Sequence, residues 1–105
     1  MSDKSWKQFE RRIAKRLDGR RVGILGKEDI EHPLFSIECK LLKELPKGLT
    51  EPYKQAEKNC PAGKIAIVCM KEKKKQDGNA LIIMSFESLL WMVEDMDEFN
   101  SQSTR

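Results

Sequence analysis

The chain has 105 residues, enough for one compact domain and too few for two, so an active site has to be built within a single core or across a dimer. Hydrophobic residues make up 39% and charged residues 35%, with the apolar ones gathered into short runs; this excludes disorder along the whole length and leaves little room for an internal organic cofactor. The net charge of +3 is unevenly placed, with residues 1–27 at +6, residues 28–93 balanced and residues 94–105 at −3, so the front of the chain suits a polyanion or remains a solvated face.

Ser5 to Leu17 carries Trp6, Phe9, Ile13 and Leu17 at helical spacing, and Asp18-Gly19 ends that helix. Trp6, like Trp91 further on, is expected to serve core or interface packing. Arg20 to Leu25 predicts a strand, Gly26-Lys27-Glu28 a turn, and Asp29 to Glu31 a second extended piece that His32-Pro33 breaks. Residues 35–40 alternate, placing Phe35, Ile37 and Cys39 on one face and Ser36, Glu38 and Lys40 on the other. A helix is expected from Leu49 to Cys60, a buried strand from Lys64 to Met70, a charged turn over 71–79 and a second buried strand from Ala80 to Met84. Ser85 can cap a last helix carrying Phe86, Leu89, Leu90 and Val93, with Met92 and Met96 as a dimer contact. The domain is expected over 1–94, followed by a flexible acidic and Ser-rich tail over 95–105. The order helix, three strands, helix, two strands, helix predicts an α/β fold, a mixed sheet flanked by helices.

No apolar run approaches the ~18 residues of a membrane span, and the opening MSDKSWKQFERR lacks a signal-peptide core. Cys39, Cys60 and Cys69 are an odd number without CxxC spacing, as expected of reduced thiols in an intracellular, cytoplasmic protein. His32 is the only histidine, too few for a triad or a His-based zinc site, and Gly19, Gly23 and Gly26 form no phosphate-binding fingerprint.

Chemistry is written most clearly around residues 38–40. Glu38 and Lys40 stand on one strand face about 7 Å apart, close enough to serve one phosphate. A reversal at His32-Pro33 would bring the Asp29 carboxylate beside Glu38; two such acids repel, and a hard divalent cation such as Mg²⁺ relieves the repulsion. The plainer alternative is a cross-strand ion pair on an exposed face. Glu10 borders the apolar stripe of the first helix, either completing a metal site or pairing with Arg11 or Lys7.

An acid on the first helix, then an Asp, then Glu-x-Lys on a following strand, here Glu10, Asp29 and Glu38-Cys39-Lys40, resembles the PD-(D/E)XK nuclease superfamily. Ile37 to Lys40 followed by Gln55-Ala56 on the next helix looks most like its Holliday-junction-resolvase and VRR-type branches, although Glu28 and not Pro precedes Asp29. The resemblance covers residues 5–84 and implies a restriction-endonuclease-like core with a mixed sheet of about five strands. It implies metal-dependent hydrolysis of DNA phosphodiester bonds, with Asp29 and Glu38 holding Mg²⁺, or Mn²⁺ as a substitute, and Glu10 ligating it or positioning a water. Lys40 would serve the nucleophile, and Gln55 would contact water, Lys40 or the scissile phosphate. Discounting the three acids Glu10, Asp29 and Glu38 leaves the remainder at +6, a surface suited to DNA. Lys7, Arg11, Arg12, Arg20 and Arg21 are its phosphate-contact candidates, and Lys71, Lys73, Lys74 and Lys75 form a second patch. The expected enzyme is a structure-specific endonuclease of branched DNA acting as a homodimer. Its rivals are a flap-, nick- or sequence-specific nuclease and a non-catalytic nucleic-acid-binding module.

Overall fold

The computed structural model describes residues 5–22 and 29–103, with 97–103 described as backbone only. The described residues are mixed α/β, with three α-helices and five short strands in the order helix, three strands, helix, two strands, helix. The described strands form two small sheets, one of three strands and one of two. The chain divides into two compact units after Lys43.

In the first unit, helix α1 (Ser5–Leu17) is followed by strands β1 (Arg20–Arg21), β2 (Ile30–Glu31) and β3 (Ser36–Ile37). The buried side of α1 is Glu10, Ala14 and Leu17, while Trp6 keeps 44% of its surface exposed. The inward stripe is thus rotated from the aromatic one that the spacing suggests. Small Ala14 allows close approach, and the carboxylate of Glu10 finds a partner inside. Lys15 and Arg16 occupy the last turn, where cations complement the helix dipole.

Asp18 adopts φ +57°, and its N–H donates to the Lys15 carbonyl while the Gly19 N–H donates to Ala14 at 2.8 Å. These are the paired bonds of a Schellman stop. The left-handed residue is Asp18, and Gly19 serves a different need: a Cβ there would lie 2.9 Å from both the Glu31 carbonyl and Ile30 Cγ2. The helix end can therefore lie directly on β2, over the fully buried Ile30.

β2 pairs antiparallel with β1 and β3 on either side, with Arg21 opposite Ile30 and Ile30 opposite Ile37. The reversal expected at His32-Pro33 joins β2 to β3. The Leu34 N–H donates to His32 Nδ1 at 3.0 Å, and the imidazole stacks on Phe35 at 5.1 Å. The alternation expected over 35–40 is present in burial, with Phe35, Ile37 and Cys39 half-buried and Ser36, Glu38 and Lys40 exposed, but ladder pairing covers only Ser36–Ile37. Of the strand and turn expected over 20–28, residues 23–28 lie outside the described residues.

In the second unit, helix α2 (Lys47–Asn59) starts two residues earlier than the spacing indicates, with Leu49 and Thr50 N–H groups donating to the Pro46 carbonyl. It packs on strand β4 (Val68–Met70), which pairs antiparallel with β5 (Leu81–Ile83), Cys69 opposite Ile82. Both strands were expected to be buried, yet Ile67, Leu81 and Ile82 are 45%, 71% and 54% exposed, because a two-stranded ribbon has too few neighbours to cover both faces. Ser85 caps helix α3 (Phe86–Ser103) as predicted, its Oγ accepting the Ser88 N–H at 3.1 Å. Among its described side chains Leu90 and Val93 are buried, and Trp91 is 53% exposed. The α3 backbone stays helical through 95–103, where composition predicts a tail.

Candidate active site

Two of the acids singled out in the sequence, Asp29 and Glu10, are each held by a hydrogen bond. Asp29 lies in register with Val22 on one side, whose N–H donates to the Asp29 carbonyl at 3.0 Å. On the other side its own N–H donates to the Ile37 carbonyl, one step out of the Ile30–Ile37 register. The Asp29 carboxylate is aimed at the Glu-x-Lys segment: Oδ2 accepts the Cys39 N–H at 2.8 Å. This bond ties Asp29 directly to the residue between Glu38 and Lys40.

Glu10 reaches the same neighbourhood from α1. Its side chain is 8% exposed, and Oε1 accepts a hydrogen bond from Arg21 Nε at 3.0 Å. The partner is neither Lys7 nor Arg11 but a residue of β1, where a helix-to-strand contact holds the charges together away from water. Arg21, expected on phosphate, is thus engaged by Glu10, and Arg20 pairs with Glu31.

Cys39 records the convergence electrostatically. Burial pushes its half-buried thiol above the ordinary value, and the carboxylates of Asp29, Glu10 and Glu38 push it further in the same direction. All three acids therefore act on one point in the first unit. Among the described residues, however, no three His, Cys, Asp or Glu side chains are gathered tightly enough to hold one metal ion.

Glu38 and Lys40 are exposed, and among the described residues no ion pair engages either of them. On α1, Lys7 lies 5.6 Å over the Trp6 ring and Arg12 5.9 Å over the Phe9 ring, and Arg11 and Arg12 are exposed. Gln55 is exposed on α2 in the second unit, and Lys73, Lys74 and Lys75 are exposed on the β4–β5 loop of that same unit. Within the first unit Asp29 is bonded to the segment 38–40, and Glu10 is bonded to Arg21 on β1. Sequence reasoning missed the roles of Arg21 and the Cys39 N–H. The single buried acid facing a strand that opens with two arginines is the only signal for the former, and a backbone donor leaves none.

Comparison of the chain with protein-family models, curated proteins and solved structures finds no match.

Proposed function

We propose that the first unit carries the cleavage centre of a metal-dependent endonuclease that hydrolyses phosphodiester bonds in branched DNA, of the Holliday-junction type, as a homodimer. The observation that supports this most is the bond from the Cys39 N–H to Asp29 Oδ2, which ties an aspartate to a Glu-x-Lys segment across a strand pair. It is the relation expected of a PD-(D/E)XK centre.

The donor set suits Mg²⁺ or Mn²⁺. Such ions are commonly held by one or two carboxylates, with water and substrate phosphate completing the shell, so Asp29 and Glu38 suffice without a third acid. When bound, the metal would supply Lewis acidity at the phosphate and lower the pKa of a coordinated water. The Cys39 N–H fixes the Asp29 carboxylate, and Arg21 does the same for Glu10 while compensating its charge. Glu10 acts as a positioning residue near the centre, since one of its oxygens is already committed to Arg21. Lys40, exposed and cationic, would serve the attacking water or a phosphate oxygen. Lys7, Arg11, Arg12 and Arg20 offer charge to the flanking phosphates.

The rival is a DNA-binding module without catalysis. It is favoured by the Arg21–Glu10 pair and by the lack of a three-donor cluster among the described residues. Incubation of the full chain with four-way junction, flap and linear duplex in Mg²⁺ or Mn²⁺ separates the two. Junction nicking that Asp29→Asn abolishes while junction binding persists is the expected result. Binding without product from any DNA under either metal would leave the module, and preferential cutting of flaps or of one linear sequence would move the substrate class.

A further inference from the structure

The loop joining β4 to β5 is built as a fixed display of cationic side chains. Lys71 Nζ turns back into the loop, donating to the Lys75 carbonyl at 2.9 Å and to Asp77 Oδ1 at 2.8 Å. The Lys75 N–H closes a turn on the Glu72 carbonyl, and the 3₁₀ turn Asp77–Asn79 returns the chain to β5. Lys73 and Lys74 are thus the central residues of that turn. Lys73, Lys74 and Lys75 are exposed, and among the described residues no hydrogen bond or ion pair engages their ammonium groups.

Lys74 is the decisive residue. Its φ of +73° is a left-handed conformation that Gly or Asn normally supplies at the third position of a turn, and a long side chain there is held against its backbone preference. A charge retained where the backbone asks for glycine points to a use for the charge. Beside the turn, Met70, Lys71, Glu72, Lys75, Asn79 and Leu81 line a hollow of about 480 Å³, placing Lys75 at the edge of a concave surface.

We infer that this loop is a DNA-backbone contact, with Lys73, Lys74 and Lys75 taking phosphates and Lys71 holding the loop in shape. The inference rests on the proposed function for DNA as the partner but not for cleavage. A membrane surface fits less well, because the loop sequence KEKKKQDGN has no aromatic or aliphatic side chain to insert, whereas phosphate contact needs only cations and backbone donors.

The test is junction-DNA binding by the full chain in EDTA, across a salt series, so that cleavage does not intervene. Lys73→Gln/Lys74→Gln/Lys75→Gln should weaken binding by about tenfold or more and flatten the log–log salt slope by about 2–3. A control with the same charge change on α2, Lys47→Gln/Lys54→Gln/Lys58→Gln, should lose much less. Lys74→Gly gives a sharper discrimination: it should raise Tm, by relieving the turn, and at the same time lower DNA affinity. Equal losses in the two triples, unchanged binding in the loop triple, a Lys74→Gly variant that gains stability with full affinity, or loop-dependent binding to phosphatidylserine vesicles without DNA binding would each overturn the inference. Failure of cleavage with loop-dependent binding intact would count against the proposed function alone.

Discussion

At the residue scale, Cys39 provides a reporter of the acid cluster that does not depend on activity. Only the thiolate is alkylated, so a thiol held above its ordinary value reacts slowly near neutral pH. With Cys60 and Cys69 replaced by Ser, Asp29→Asn, Glu10→Gln and Glu38→Gln should each shift the pH profile of iodoacetamide labelling to lower pH, Asp29→Asn most among them. Unshifted profiles would mean that the carboxylates do not share one field. The sign for stability follows from linkage: the folded thiol keeps its proton more tightly, so its contribution is complete below the ordinary value of 9.0 and is lost as pH rises through the raised one. Alkaline denaturation of the Cys39→Ser variant should lack that component. Glu10 was marked by the sequence as an acid at the edge of an apolar stripe, but Arg21 was not marked as its partner. Eleven residues separate the pair, and only the sharp end of α1 brings them together.

At the element scale, the two best-defined devices are helix ends. Gly19→Ala would drive a Cβ to 2.9 Å from a backbone carbonyl and from the buried Ile30, neither of which can swing aside. A loss of about 1–3 kcal/mol is expected in urea unfolding, as for other overpacked sites. Ser85→Ala removes the acceptor for the Ser88 N–H and should cost α3 about 1 kcal/mol, measured the same way. Both boundaries were legible in sequence, one as Asp-Gly after an amphipathic run and the other as a Ser before one. The division of labour at the first was not, because a left-handed Asp18 and a tightly packed Gly19 produce the same dipeptide signal as a left-handed glycine. β3 came out shorter than the alternating run over 35–40, since alternation records which side is covered and not how far a neighbour extends the ladder.

At the scale of the whole molecule, the charge is the property that couples the proposed centre to its partner. If Asp29 and Glu38 hold a divalent cation, Mg²⁺ or Mn²⁺ should raise the Tm of the wild-type chain in proportion to the logarithm of its concentration, and Asp29→Asn should abolish the rise. Calorimetry without DNA reads this directly, and a Tm indifferent to both metals in the wild type would remove the metal from the proposal. No described helix is long and apolar enough to cross a membrane.

The element order, the stop of α1, the reversal at His32-Pro33 and the alternation through Phe35–Lys40 were all determined by the sequence, because each depends on residues within a few positions of one another. Which acid meets which partner was decided only in three dimensions. The bond that joins Asp29 to the Cys39 N–H, the ion pair between Arg21 and Glu10, and the pairing of β1 and β3 with β2 all depend on how distant backbone segments meet. A one-residue slip in that pairing would leave every local signal in the sequence unchanged.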